Sequence, residues 1–323
     1  MARLIRVRPY EDPGYRRVRS GSGFRFVDHT GASVPERDAE RARGLVIPPA
    51  WREVWIAKEP NAHIQAVGTD EAGRRQYTYH ADWSKRQDKG KFARALQLAE
   101  ALPRARSRVT QSLRRAEADR ERVLAVSFRF LDLVAPRVGN ARYFVTNGSR
   151  GLTTLQRRDA TVDGDLIRLS FPAKSGKRAE LSLRDAEFAA IVEELAFGRP
   201  RAALLTFKRG RRRVPLTPGD VNGYVRSLTG GPFSAKDFRT LRGTILAAES
   251  LAKVGAVGGK NERKKAEVAA VRATAEALGN TPAVARASYI DPRVFSLYRK
   301  GRTMELGGSK DAAIRRLILG ERP

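Results

Sequence analysis

Cysteine is absent from the 323 residues. That excludes disulfide frameworks, thiol nucleophiles and thiolate metal sites. Histidine is scarce: His29, His63 and His80 are the only three, all in the first quarter of the chain and without metal-ligand spacing. An enzyme site in the remainder must therefore use Ser, Thr, Tyr, Lys, Arg, carboxylates or a metal. No run of 18 apolar residues occurs, so no membrane-spanning helix is expected. The opening MARLIRVRPY lacks the apolar stretch of a signal peptide. A cytoplasmic location is expected.

Acidic residues are outnumbered, 35 Asp+Glu against 63 Lys+Arg, leaving a formal net charge of +28. Such a balance attracts a polyanion, with nucleic acid the first candidate and an anionic membrane surface the second. Arginine predominates over lysine. Its planar fork suits phosphate, but a GC-rich genome also inflates its count, so position must decide each case. Hydrophobic residues make up 41 %, enough for a core, and the length suits two domains.

The first 80 or so residues read as β-rich. Short β-prone runs at 6–8, 24–27, 54–56 and 76–79 are separated by Gly, Pro and Asp. Residues 85–91 are polar, without apolar periodicity, and read as a linker or an exposed helix entry. A boundary near residue 90 divides the chain into 1–90 and 91–323. Beyond it, Phe92, Ala95, Leu96, Ala99 and Leu102 form a helical stripe predicted to stop at Pro103. Residues 109–135 predict one long helix ending at Pro136. A β interlude follows, with strands expected at 151–156, 161–162, 166–171 and 179–183. Asp163-Gly164 marks one turn and residues 172–177 a second tip. Helices resume at 185–197. Thr217-Pro218 opens the next, a capping box from Ser234 to Asp237 precedes a helix over 239–254, and 260–278 is amphipathic. Thr281-Pro282 and Asp291-Pro292 open two short helices. The fold class is therefore α+β: a small N-terminal β-sheet domain and a larger, mainly helical domain holding a short antiparallel sheet.

Several apparent motifs have ordinary explanations. Asp163 and Asp165 could be a carboxylate pair for Mg²⁺, but they sit at a hairpin turn. GAVGGK at 255–260 has the wrong spacing for a phosphate loop, and Asn261 stands where Ser or Thr would bind Mg²⁺. No nucleotide site is expected. The basic runs KRGRRR (208–213) and KNERKK (260–265) read as solvated segments able to touch phosphate.

A stronger pattern runs through the chain in order. NTPAVARASY (280–289) resembles the tyrosine segment of type IB DNA topoisomerases of the poxvirus and bacterial branch. KDFRT (236–240) resembles their second-arginine helix. PRVGNARYF (136–144) with GLTTL (151–155) resembles their first-arginine segment. FPAKSGK (171–177) places Lys174 where their lysine lies. VIPPAW (46–51) and GRRQYTY (73–79) resemble their small domain. Each motif alone is weak; together they span nearly the whole chain.

The resemblance implies the tyrosine recombinase/topoisomerase IB catalytic fold over 91–323 and a DNA-clamp domain over 1–90. It implies relaxation of supercoiled duplex DNA through a 3′-phosphotyrosyl intermediate, with no cofactor, metal or nucleotide, by a monomer. The chemistry is coherent with those residues. Tyr289 can attack phosphorus and later leave as a phenolate. Arg137 and Arg239 can clamp the non-bridging oxygens. Lys174 can reach the minor groove from its tip and protonate the departing 5′-oxygen. Many family members carry His at the position of Asn280. An amide still donates to a phosphate oxygen but carries no charge. Arg242, one turn beyond Arg239, could mimic its role.

DNA contacts are implied for Arg74, Gln76, Tyr77, Tyr79, Tyr143 and Lys236, the first four in the major groove. Strand alternation puts Tyr77 and Tyr79 on one face and Gln76 on the other, so not all of them need touch DNA. Two alternatives remain: a site-specific tyrosine recombinase and a non-enzymatic architectural DNA-binding protein. Against the recombinase, Lys236 occupies the position where recombinases carry His.

Overall fold

The computed structural model describes residues 3–71, 73–115, 119–173 and 176–320, and all their side chains except those of 87–89 and 143. The chain forms two compact units, Met1–Gly90 and Lys91–Pro323.

In the first unit, strands β1 (Gly14–Ser20), β2 (Gly23–Val27), β3 (Arg52–Ala57), β4 (Ile64–Thr69) and β5 (Arg75–Tyr79) build an antiparallel sheet in the order β2-β1-β3-β4-β5. Strand β3 shows how it is filled. Val54 and Ile56 join a cluster with Tyr15, Phe26 and Ala66, whereas Trp55 and Ala57 join another with Ile64 and Val67. Side chains alternate across a strand, so a central strand buried on both faces carries apolar residues at successive positions. The first cluster is covered by α1 (Glu36–Gly44), through Ala39 and Ala42. The stretch at 6–8 is not a strand.

Helix α2 (Ala81–Leu113) takes up residues 85–91, expected as a linker or an exposed helix entry, and continues through Pro103, where a stop was expected. Proline removes one helical hydrogen bond. Here Leu98, Leu102, Ala105 and Val109 keep one buried stripe on both sides of it, and that packing outweighs the local defect. The expected helix over 109–135 is broken instead between Leu113 and α3 (Arg120–Val134). Asp119 caps α3 by accepting from the Arg122 amide at 2.8 Å.

In the second unit, α3 supplies much of the core. Phe128 meets Phe238 edge-on at 5.2 Å, and Phe130 meets Phe188 at 4.8 Å. Helix α4 (Ala141–Asn147) follows. Residues 151–156, expected as a strand, contain a 3₁₀ turn at Leu152–Thr154. The amides of Leu152 and Thr153 are engaged by the carbonyls of Arg137 and Val138, which removes them from any sheet. Strands β6 (Ala160–Asp163), β7 (Leu166–Pro172) and β8 (Arg178–Arg184) form the antiparallel three-stranded sheet. Gly164, at φ 59°, makes the β6–β7 turn.

Helix α5 (Ala186–Ala196) leads to a hairpin of β9 (Thr206–Arg209) and β10 (Arg212–Pro215), which orders the first basic run. Then come α6 (Pro218–Thr229), α7 (Ala235–Val254), α8 (Lys260–Ala277), α9 (Pro282–Ser288), α10 (Pro292–Arg299) and α11 (Lys310–Leu319). Ser234 and Asp237 form the capping box of α7, with the Ser234 amide donating to Asp237 at 2.9 Å. No described helix is long and apolar enough to cross a membrane.

Candidate active site

Arg239 sits on α7 and is 5 % exposed. A charge so buried needs acceptors. Its Nη1 donates to the Ala135 carbonyl at 2.6 Å and its Nη2 to the Leu278 carbonyl at 2.7 Å. Ala135 is the left-handed C-cap of α3, φ 45°, a conformation that turns the chain into Pro136-Arg137. The guanidinium therefore ties the end of α3 and the end of α8 to one turn of α7.

Arg137 follows that cap. Its backbone is fixed by the Leu152 amide, which donates to the Arg137 carbonyl at 2.8 Å. Gly151 is needed there, because a β-carbon on it would lie 2.6 Å from the same carbonyl oxygen. The half-buried Arg137 side chain donates through Nη2 to the Gly279 carbonyl at 3.1 Å and to the Asn280 side-chain oxygen. Burial, and then the nearby Arg239 charge, lower its pKa, while Tyr289 opposes them.

Tyr289 caps the C-terminus of α9, whose start is set by Thr281 and by Pro282 in its first turn. On α7, Gly243 and Thr244 stand about one turn beyond Arg239. The Thr244 hydroxyl donates to the Thr240 carbonyl at 2.8 Å, lies 3.3 Å from the Tyr289 carbonyl, and accepts from the Asp291 amide at 3.1 Å. The half-buried ring of Tyr289 lies with its centroid 5.0 Å from the Arg239 guanidinium carbon. Burial alone would raise the phenol pKa. The charges of Arg239, then Arg137 and the exposed Lys236, outweigh it, and the net shift is downward.

Two donors in this cluster lack a hydrogen-bond partner among the described residues. They are Arg239 Nε and Asn280 Nδ2, both buried. The Asn280 orientation follows from its neighbour: its oxygen accepts from Arg137, so its amino group faces away. A buried donor left unpaired costs about 1–3 kcal/mol. An anion with several acceptor oxygens is the kind of group that satisfies both. Beside them, Arg137 and Arg239 line a cavity of about 240 Å³, together with Arg150, Phe171, Ala173 and Arg178. Tyr289 does not line it.

Lys174 lies outside the described residues, as does the side chain of Tyr143. Ala173 lines the cavity, and the Arg150 amide donates to the Pro172 carbonyl at 2.7 Å. Arg242 lines a separate cavity of about 470 Å³ with Arg106, Asp132 and Asp311. It is not part of the Arg137–Arg239–Tyr289 cluster.

In the first unit, Tyr77 and Tyr79 share the exposed face of β5, their rings stacked with centroids 5.9 Å apart. Gln76 points to the opposite face, and Arg74 precedes the strand. Sequence reasoning passed over Arg75, which shares the tyrosine face and lies 4.9 Å from the Tyr10 ring. It also passed over Arg150, paired with buried Asp159 at 2.8 Å. The strand period signals the first; nothing local signals the second. No cluster of three or more His, Asp or Glu among the described residues is arranged to hold a metal ion.

Comparison with known proteins accords with the α+β fold. The family model of the eukaryotic DNA topoisomerase I catalytic core matches residues 80–301, and that of the bacterial DNA topoisomerase IB N-terminal domain matches residues 23–70. The chain belongs to the type IB DNA topoisomerase family, and is an isomerase that acts on DNA. It is 28 % identical over 291 residues to a DNA topoisomerase 1B of Acanthamoeba polyphaga mimivirus, covering 87 % of each chain.

Proposed function

We propose that the chain relaxes supercoiled duplex DNA by opening and resealing one strand through Tyr289. The observation that carries this reading is the pair of buried donors without a partner among the described residues, Arg239 Nε and Asn280 Nδ2, beside a tyrosine whose pKa is depressed by arginines.

In the cleavage step the Tyr289 phenol releases its proton to solvent, its oxygen bonds to phosphorus, and the bond from phosphorus to the 5′-oxygen breaks. Arg137 and Arg239 stabilise the charge on the non-bridging oxygens, and Asn280 adds an uncharged donor. Lys174 delivers the proton that the 5′-oxygen takes up. One phosphodiester replaces another, so the two states are nearly balanced and torsion alone drives the free end to rotate. Resealing reverses each transfer. No nucleotide or metal enters the scheme. The 1–90 unit contacts the duplex through Arg74, Gln76, Tyr77 and Tyr79, and Lys236 and Tyr143 touch the backbone near the reacting phosphate. The protein acts as a monomer in the cytoplasm, on the nucleoid if the host is bacterial.

Plasmid relaxation tests this. Both positive and negative supercoils should relax in EDTA without ATP, and binding should weaken with salt at a log–log slope of about −0.9 per phosphate contact. A strict requirement for ATP or Mg²⁺ would overturn the scheme.

A further inference from the structure

One carboxylate holds two of the side chains proposed above to face the duplex. Asp70 follows β4, and its side chain is 14 % exposed. Its Oδ2 accepts from Arg74 Nε at 2.7 Å and from Gln76 Nε2 at 2.8 Å, and Arg74 Nη2 lies 2.6 Å from the same oxygen. Its Oδ1 accepts from the Arg74 amide at 2.9 Å. Backbone bonds from Asp70 to Arg74 and from Gly73 to Asp70, each 2.9 Å, close the turn. Arg74, by hydrogen bonding first, holds the Asp70 carboxyl far below the usual carboxylate range, so it stays ionised at neutral pH.

We propose that Asp70 is a positioning residue for DNA sequence selection, converting Arg74 and Gln76 from generic polyanion binders into oriented readers of base edges. The inference rests on the assignment of Arg74 and Gln76 to DNA contact. An unpaired arginine on a long stem is attracted to any phosphate, whatever the sequence. Pairing with Asp70 does two things. It fixes the plane and direction of the guanidinium, because two of its nitrogens are engaged by one oxygen. It also cancels the charge, which removes the sequence-independent part of the attraction.

Gln76 is oriented by the same oxygen. A carboxylate only accepts, so the amide must turn its NH₂ toward Asp70 and its oxygen away. An oxygen so placed is an acceptor, suited to the exocyclic amine of adenine or cytosine. In a chain of net charge +28, placing a carboxylate here gives up nonspecific affinity. Selectivity is what it gains.

Asp70→Asn separates this role from support of the turn, because Asn keeps the Oδ1 acceptor for the Arg74 amide but loses the charge. Binding is measured in the Tyr289→Phe background on random-sequence duplex. Selection is measured in the active protein, as the distribution of trapped covalent adducts over a pool of random duplexes. Asp70→Asn should bind nonspecific duplex more tightly, with a salt slope steeper by up to about 0.9. Its preference for the best sites over the median should fall on the order of tenfold. Asp70→Glu keeps the charge on a longer arm; it should leave the salt slope unchanged and redistribute the adducts.

An unchanged distribution in Asp70→Asn, or affinity and selectivity falling together with the melting temperature, overturns the proposal. If the Arg74→Ala, Gln76→Ala double variant also leaves the distribution unchanged, the contact assignment itself is wrong. If the double variant relaxes selection and Asp70→Asn does not, only the role of Asp70 fails.

Discussion

Gly243 and Tyr289 approach so closely that a β-carbon on Gly243 would lie 2.6 Å from the Tyr289 carbonyl oxygen and 3.0 Å from the Tyr289 β-carbon. The first contact is with backbone, which cannot rotate aside. The absence of a side chain on α7 therefore sets how near the tyrosine comes to Arg239, about one helical turn earlier.

Gly243→Ala should displace Tyr289 from the cations while leaving the DNA-binding surface intact. A 1 Å misplacement of a reacting group can cost about a hundredfold in rate. Single-turnover cleavage should fall by about that factor, with equilibrium DNA binding changed by less than about threefold. Wild-type cleavage in this variant would show that the contact does not position the nucleophile.

The Tyr289 phenol has its pKa lowered by Arg239, Arg137 and Lys236 against the upward pull of burial. The sign of its response to mutation follows. Removing Arg239 leaves the burial and takes away the largest opposing interaction, so the phenol pKa rises. In the free protein, tyrosinate absorbance of wild type minus Tyr289→Phe should titrate below the ordinary value near 10, and the same difference in an Arg239→Ala background should titrate higher. As the folded pKa is depressed, its contribution to stability is present above the unfolded value and lost as pH falls through the folded one. A titration unmoved by Arg239→Ala would contradict the electrostatic coupling.

Asn280 accepts from Arg137 and keeps a buried amino group without a partner among the described residues. If that group serves the transition state, Asn280→Ala should lower the cleavage rate by about a hundredfold, the lower end of the loss for one such donor. Asn280→His, which restores a ring donor, should recover most of it. Equal losses in both variants would make Asn280 a support for Arg137 and nothing more.

Local chemistry made some of this site legible before any coordinates. Thr281-Pro282 and the Ser234–Asp237 box are written in adjacent residues; α9 begins at its cap, and α7 begins directly after Ser234 at Ala235, ahead of the expected 239. Strand alternation likewise put Tyr77 and Tyr79 on one face. Helix α1 escaped notice because ERDAERARG buries only Ala39 and Ala42, too little for an apolar stripe. Pro103 signals a stop locally, but the buried stripe that continues beyond it outweighs one lost hydrogen bond. The 3₁₀ turn after Gly151, the Gly243 contact and the Arg150–Asp159 pair depend on segments meeting across the fold. No window of neighbouring residues contains that information.

The central claim is that the Tyr289 phenol oxygen becomes bonded to a DNA 3′-phosphate. Denaturant added to protein reacting with an end-labelled duplex, followed by proteolysis and mass mapping of the DNA-linked peptide, measures it directly. The expected result is one adduct, at Tyr289 and at the 3′ side of the break, lost in Tyr289→Phe although that variant still binds the duplex. An adduct at another residue, or one that persists in Tyr289→Phe, would contradict it.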